Sequence, residues 1–340
     1  MTVLYVAGAR PGVGSTAVAA SLAAAWRRRG RTVAADKPVA FAEGDADAEL
    51  LAGAAASTGS GASLVASNGA VDPGLLDAAA KRVEGLAKTS DVVVIDGLPL
   101  TDGSERATEA SGALARRLDA KVLGVLPYER SLTGESAAPW RDAFGDALIG
   151  LIVNRQTRYA AHDVSARLAP QLAAEGAPVV GVLLEERLLL APTVRQVVDL
   201  LDATLYAGAT GVGQLVEHFL IGGLITEWGG NYFNRLPNQA VIVRGGRADI
   251  QMAALNFPLN AMFLTGCSEP PQYVHQRAES LDVPLAVTAR NTHETAEALE
   301  AIASRVTVHH PEKIESFSET LSERLDWDAL EAAIGWPSRG

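Results

Sequence analysis

The chain has 340 residues, enough for about two domains at roughly 150 residues each. Hydrophobic residues make up 48% and charged residues 20%, which excludes a disordered tail protein and a fibre. With 40 acidic residues against 29 basic ones the net charge is -11, which argues against a general phosphate-backbone binder and so against a nucleic-acid partner. Cys267 is the single cysteine, so no internal disulfide and no Cys-based zinc site can form. The opening residues lack the basic start and apolar stretch of a signal peptide, and the Ala- and Leu-rich runs are too short to cross a bilayer. The expectation is a cytoplasmic protein with no membrane partner.

In chain order, short β-branched runs alternate with amphipathic stretches. They predict strands over 2–6, 32–35, 92–95, 122–126, 148–153 and 179–184 and helices over 16–29, 73–88, 105–118 and 164–175. Most of the strands are continuous apolar runs, as in a parallel sheet buried on both faces, so the expected fold class is α/β with a mostly parallel sheet and helices on both sides. The basic run 27–31 reads as a solvated helix end suited to the helix dipole. Residues 41–72, rich in Ala, Gly and Ser, read as a mobile flap or insertion. The texture changes after the helix 193–201, and the expected division is 1–204, 205–310 and a helical tail 311–340. The second part reads as a smaller α/β domain with strands near 240–243, 261–264 and 284–287 and helices at 249–255, 271–281 and 292–304.

The most informative segment is Gly8-Ala9-Arg10-Pro11-Gly12-Val13-Gly14-Ser15-Thr16, set between a predicted strand and a predicted helix. Glycines there let successive N–H groups turn toward one anion, and the helix presents its positive end to the same point. A P-loop carries Lys and then Ser or Thr after its last glycine. Here the lysine position is Ser15, Thr16 keeps the hydroxyl, and Arg10 is a candidate for returning the charge. Asp96 ends the apolar run 92–95, the placement of an acid that holds magnesium, and Thr16 and Asp47 are its expected co-ligands. Asp45 and Asp47 read equally as solvated loop acids. Asn154 and Arg155, at the end of the strand over 148–153, sit where open α/β sheets bind ligands, and a base-reading or a turn-capping role fits them equally.

Together these features resemble the dethiobiotin synthetase-like branch of P-loop proteins: the five-residue spacing inside the loop, Asp36-Lys37-Pro38-Val39 after the second strand, Val94-Ile95-Asp96-Gly97 and the late Asn154. The resemblance implies that Lys37 lies near the phosphates and, were the chain a ligase, near a carboxylated substrate as its catalytic cation. It implies ATP and Mg2+ as ligands, although Ser15 departs from the family pattern. Farther on, Gly181–Arg187, Ala191–Val194, Gly245-Gly246-Arg247-Ala248-Asp249-Ile250-Gln251 and Leu264-Thr265-Gly266 resemble the DRTGG domain. The pair is similar to the N-terminal region of long bacterial phosphate acetyltransferases, without their acyl-transfer domain. That implies a regulatory or sensory part, expected as a homo-oligomer binding a nucleotide or phosphate ligand.

In the second domain Gly246, Arg247, Asp249, Thr265 and Gly266 share one sheet edge. Asp249 is the expected N-cap, and Arg247 is a fork for a carboxylate or phosphate or a dimer contact. Trp228, Tyr232 and Phe233 fit base stacking or burial at a domain junction. The six histidines show no metal spacing, and Cys267 reads as a buried small residue. Two further readings stand beside the regulatory one: an ATP-dependent carboxylate-activating ligase, and an interaction module whose loop is a relic.

Overall fold

A computed structural model describes residues 2–40, 45–56, 63–66, 71–101, 105–223, 232–302 and 305–336. The chain divides into two compact units, residues 1–185 with 308–340, and residues 186–307. The expected boundary near 205 therefore differs from the observed one. Val194, Val197, Val198 and Leu201 share a core with Ala240, Ile242 and Phe263, so their helix goes with the strands that bury it.

In the first unit β1 (Thr2–Gly8) leads through the loop into α1 (Ser15–Arg28), followed by β2 (Val33–Asp36), β3 (Val39–Ala40), α2 (Asp47–Ala55) and β4 (Leu64–Val65). Next come α3 (Pro73–Ala87), β5 (Val92–Asp96), α4 (Glu105–Arg117), β6 (Lys121–Pro127), α5 (Ala138–Phe144) and β7 (Leu148–Gln156). A helical stretch of α6 (Ala161–Asp163), a π turn (Val164–Leu168) and α7 (Ala169–Ala174) precedes β8 (Val179–Leu184). The six-stranded sheet runs β2-β5-β1-β6-β7-β8, every pairing parallel. Central β1 thus delivers its loop to the carboxyl edge, between the ends of β5 and β6. Val3, Tyr5 and Ala7 share a core with Ala79 and Val83 of α3, Leu114 of α4 and Trp140 of α5.

The part of 41–72 that is described is not a bare flap. Residues 47–55 form a helix that buries Ala48, Leu51, Ala52 and Ala55, and β4 pairs in parallel with β3. Residues 57–62, which carried the flap expectation most directly, lie outside the described residues.

The second unit contains α8 (Val194–Leu200), β9 (Thr204–Ala207), β10 (His218–Ile221), β11 (Gln239–Arg244), α9 (Ala248–Ala254), β12 (Ala261–Thr265), α10 (Gln272–Ser280), β13 (Leu285–Thr288) and α11 (Thr292–Glu300). Its sheet order is β10-β11-β12-β13-β9, parallel except for the antiparallel β13–β9 pair. Gly208, at φ +69°, lies so close to Pro284 that a Cβ would stand 2.2 Å from its nitrogen, so only glycine allows this approach.

The closing helices α12 (Pro311–Arg324) and α13 (Trp327–Ala333) belong to the first unit rather than forming a tail. They also change the meaning of the basic run after α1. Arg29 stacks on the Trp327 ring at 3.6 Å and Arg31 on Trp336 at 4.4 Å, and Arg28 reaches Ser318. This end of α1 is a docking surface, because planar guanidinium groups stack on aromatic faces. Among the described residues no helix is long and apolar enough to cross a membrane.

Candidate functional site

The loop between β1 and α1 is shaped by two glycines in the left-handed region, Gly12 at φ +75° and Gly14 at φ +98°. Asn154, at the end of β7, braces it: Nδ2 donates to the Val13 carbonyl at 2.9 Å while Oδ1 accepts the Arg155 N–H at 2.9 Å. Arg155, itself at φ +57°, donates to the Gly12 carbonyl. Of the two roles expected for Asn154, these bonds are those of a turn-bracing amide. While the Gly12 and Val13 carbonyls are thus engaged, the N–H groups of Gly12, Val13, Gly14, Ser15 and Thr16 donate no hydrogen bond among the described residues. That leaves a run of unpaired donors at the start of a helix, the arrangement that receives an anion. Gly8 is required beneath it, since a Cβ there would come within 2.8 Å of Val13 Cγ2.

Arg10 does not return the missing charge. Its guanidinium is exposed and pairs with Glu129 Oε1 at 3.1 Å. The cation near the loop is Lys37, only 15% exposed, whose Nζ lies 2.6 Å from Asp45 Oδ2 and 3.4 Å from Asp96 Oδ2 and also contacts Asp47 Oδ2. Thr16 Oγ1 stands 2.8 Å from Asp96 Oδ2 and 3.1 Å from Asp47 Oδ2. Lys37 follows directly on β2, whose last residue, buried Asp36, is forked by Arg82 of α3 at 2.6 Å through Nε. Gly97, after Asp96, makes room for the Tyr5 ring, which a Cβ would meet at 2.3 Å.

Burial pushes the Asp96 carboxyl up to about 6; Lys37 works against that shift, and Asp47 adds to it. Burial opposes the charge on Lys37 as well, but Asp96, Asp45 and Asp47 hold it above the ordinary lysine range. For Asp47 burial is outweighed by hydrogen bonds to His309 and Lys37, which keep its carboxyl well below the usual carboxylate range. His309 is the residue that sequence reasoning missed: its Nε2 is 2.8 Å from Asp47 Oδ1. No spacing signal links positions 262 apart; only the docking of the C-terminal segment does.

The three expected magnesium residues, Thr16, Asp47 and Asp96, do meet. Magnesium demands near-octahedral oxygens at about 2.0–2.1 Å. The Lys37 ammonium stands among the same oxygens, so the ion does not fit while Lys37 is seated. Among the described residues no group of three or more His, Cys, Asp or Glu side chains is arranged to hold a metal.

Four of the residues singled out in the second unit bond within that unit. Arg247 forks Asp249, Nε to Oδ1 at 2.9 Å and Nη2 to Oδ2 at 2.8 Å, and this bond lowers the Asp249 carboxyl to about 2. Asp249 is not the N-cap; Arg247 occupies that position and Asp249 lies in the first turn. Thr265 Oγ1 pairs with Thr292 Oγ1 at 2.9 Å, and the N–H of Gly266, at φ +64°, bonds the Arg290 carbonyl at 2.8 Å. Gly246 is exposed, with nothing near its Cβ position. Cys267 is likewise half-buried, and burial raises its thiol. Phe233 is fully buried and Tyr232 exposed, while Trp228 lies outside the described residues.

Residues 2–193 match the AAA domain family and residues 196–302 the DRTGG domain family. The chain is 25% identical over 365 residues to the phosphate acetyltransferase of Deinococcus radiodurans, covering 99% of this chain and 52% of the relative. It is 24% identical over 283 residues to that of Synechocystis sp., covering 78% and 40%. The chain thus spans about half the length, or less, of these relatives. Among solved structures it is similar to the signal recognition particle 54 kDa protein of Aeropyrum pernix in complex with GDP, at 18% identity and TM-score 0.40, over 53% of this chain and 41% of that one. It is also similar to the CBS and DRTGG domains of the Clostridium perfringens pyrophosphatase regulatory region, complexed with the activator diadenosine tetraphosphate. That match has 14% identity and TM-score 0.31, over 41% of this chain and 65% of that one.

Proposed function

The chain belongs to the AAA domain family through residues 2–193, with a DRTGG domain at residues 196–302, and on that premise we propose that it is a regulatory protein that takes a nucleotide or other phosphate ligand at its first loop. The observation that carries this reading is the run of N–H groups from Gly12 to Thr16 left without partners while Asn154 and Arg155 hold the loop's carbonyls. Ser15 in the lysine position makes the loop degenerate for cleavage, because phosphoryl transfer relies on that cation to offset developing charge. Lys37, which a ligase of the dethiobiotin synthetase type needs as its catalytic cation, is held by three carboxylates. The DRTGG domain then senses or transmits the bound state.

Calorimetric titration of ATP and ADP, followed by a phosphate-release assay on the same sample, tests the proposal. Binding without turnover supports it, turnover brings the ligase forward, and no binding leaves the loop a relic. Ser15→Lys is expected to tighten ADP binding by about tenfold, a cation at the helix start being the usual phosphate partner. A homo-oligomer and a reducing, cytoplasmic setting belong to the same reading. The former draws support from β10, whose outer edge is unpaired among the described residues and carries exposed Ile221. Light scattering of the full chain checks it.

A further inference from the structure

The acids beside the loop stand where a phosphate-binding domain of this build keeps a divalent ion, yet nearly every oxygen there is already engaged. Asp47 Oδ2 takes Lys37 and lies 3.1 Å from Thr16 Oγ1, whose one proton goes either to it or to Asp96 Oδ2, and Asp47 Oδ1 takes His309 at 2.8 Å. Asp45 Oδ2 is 2.6 Å from Lys37, and its Oδ1 accepts the Asp47 N–H at 2.9 Å. Asp96 Oδ2 is shared by Thr16 and Lys37, and only Asp96 Oδ1, in a side chain 1% exposed, is buried without a hydrogen-bond partner. The lysine is not a loose side chain that happens to fall there. It is flanked by Asp36, forked by Arg82, and by Pro38, after which β3 pairs with β4, so the backbone is held on both sides.

We propose that Lys37 is a resident cation in the place of magnesium: its ammonium binds Asp45, Asp47 and Asp96 together, so the loop takes its phosphate ligand without a divalent ion. Part of this rests on the phosphate-binding reading above, but the ion site itself does not. A divalent cation has to displace an ammonium from three carboxylates, and at Asp47 and at Asp96 Oδ2 it meets oxygens that Thr16 and His309 also use. Removing the lysine charge leaves three acids facing one point, which attracts a divalent ion strongly at these separations.

The test is Mn2+ binding to the full chain without nucleotide, read by electron paramagnetic resonance, for wild type, Lys37→Met and Lys37→Arg. Wild type and Lys37→Arg are expected to leave Mn2+ free, while Lys37→Met binds it at least about tenfold more tightly, the effect of removing one adjacent positive charge. Equal Mn2+ binding by wild type and Lys37→Met overturns the proposal, as does no binding by Lys37→Met that folds by circular dichroism. Should Lys37→Met not fold, wild type and Lys37→Arg decide: Mn2+ bound by either one overturns it. In a second arm ADP is titrated with and without Mg2+. Wild-type affinity is expected to change by less than about twofold and that of Lys37→Met to rise about tenfold with the ion, the same charge argument applied to the ligand. If ADP binds nowhere, the phosphate reading fails while the Mn2+ result still judges the lysine.

Discussion

Gly14 and Asn154 show how little room the loop leaves. A Cβ on Gly14 would stand 2.7 Å from Asn154 Nδ2, on a backbone at φ +98°. Gly14→Ala is therefore expected to push Asn154 off the Val13 carbonyl and to weaken phosphate-ligand binding by about tenfold or more, the loss of a pre-aligned anion site. Calorimetry checks this, and Gly30→Ala is the control, since Gly30 also has positive φ but open space around its Cβ position. Asp96 makes a different kind of prediction. Its carboxyl is raised by burial to about 6, above its unfolded value, so its contribution to stability is fully present below about pH 4 and is lost as the pH rises through 6. Asp47, held below the ordinary range, has the opposite sign, contributing above the unfolded value and losing that contribution as the pH falls through its folded value. Asp96→Asn removes only the first effect. Between pH 4 and 6.5 its stability in urea is expected to gain on wild type by about 1–3 kcal/mol. A difference that does not vary with pH would show that burial of the charge is not the cause.

At the level of elements, α1 was legible because alanines, a buried face and two terminal arginines all agree on one helix. What it docks against was not. Trp26 is fully buried and donates to Glu331 Oε1 at 3.2 Å, with the Trp327 and Trp336 rings edge-on at 6.0 and 5.4 Å. Trp26→Ala is expected to cost about 3–5 kcal/mol, the range for truncating a buried aromatic, as read from the urea midpoint. Helix α2 escaped the sequence reading because Asp47–Ala55 is alanine-rich with glycine inside, so its pattern has little contrast. Its burial against α1 supplies what periodicity did not announce. The helix expected over 164–175 opens as a π turn at Val164–Leu168 before the α-helix Ala169–Ala174, a register slip that composition does not encode.

Across the whole molecule, the first unit is made from two distant stretches and the second from one. Residues 186–307 hold their own core of Val241, Val243, Ile250, Leu264 and Leu285. Expressed alone they are expected to unfold in a single cooperative thermal transition, followed by circular dichroism. Residues 1–185 without 308–340 lose Phe317, Leu321 and Leu330, all fully buried, along with His309 on Asp47. That fragment is expected to melt at lower temperature than the intact unit. Adding residues 308–340 back as a separate peptide should recover part of the loss.

The sequence by itself determined the parallel βα order, the glycine loop, the departure at Ser15 and the acid ending β5, because each is local. Strands and helices declare themselves by period, and tight turns by glycine. Only the tertiary structure decided that Asn154 braces the loop, that Arg10 turns to Glu129, and that Lys37 sits among Asp45, Asp47 and Asp96. It alone brought His309 to Asp47 and assigned the last helices to the first unit. These are choices among partners of compatible charge or shape. They are made by which surfaces the folded chain buries together, and that leaves no periodic trace along it.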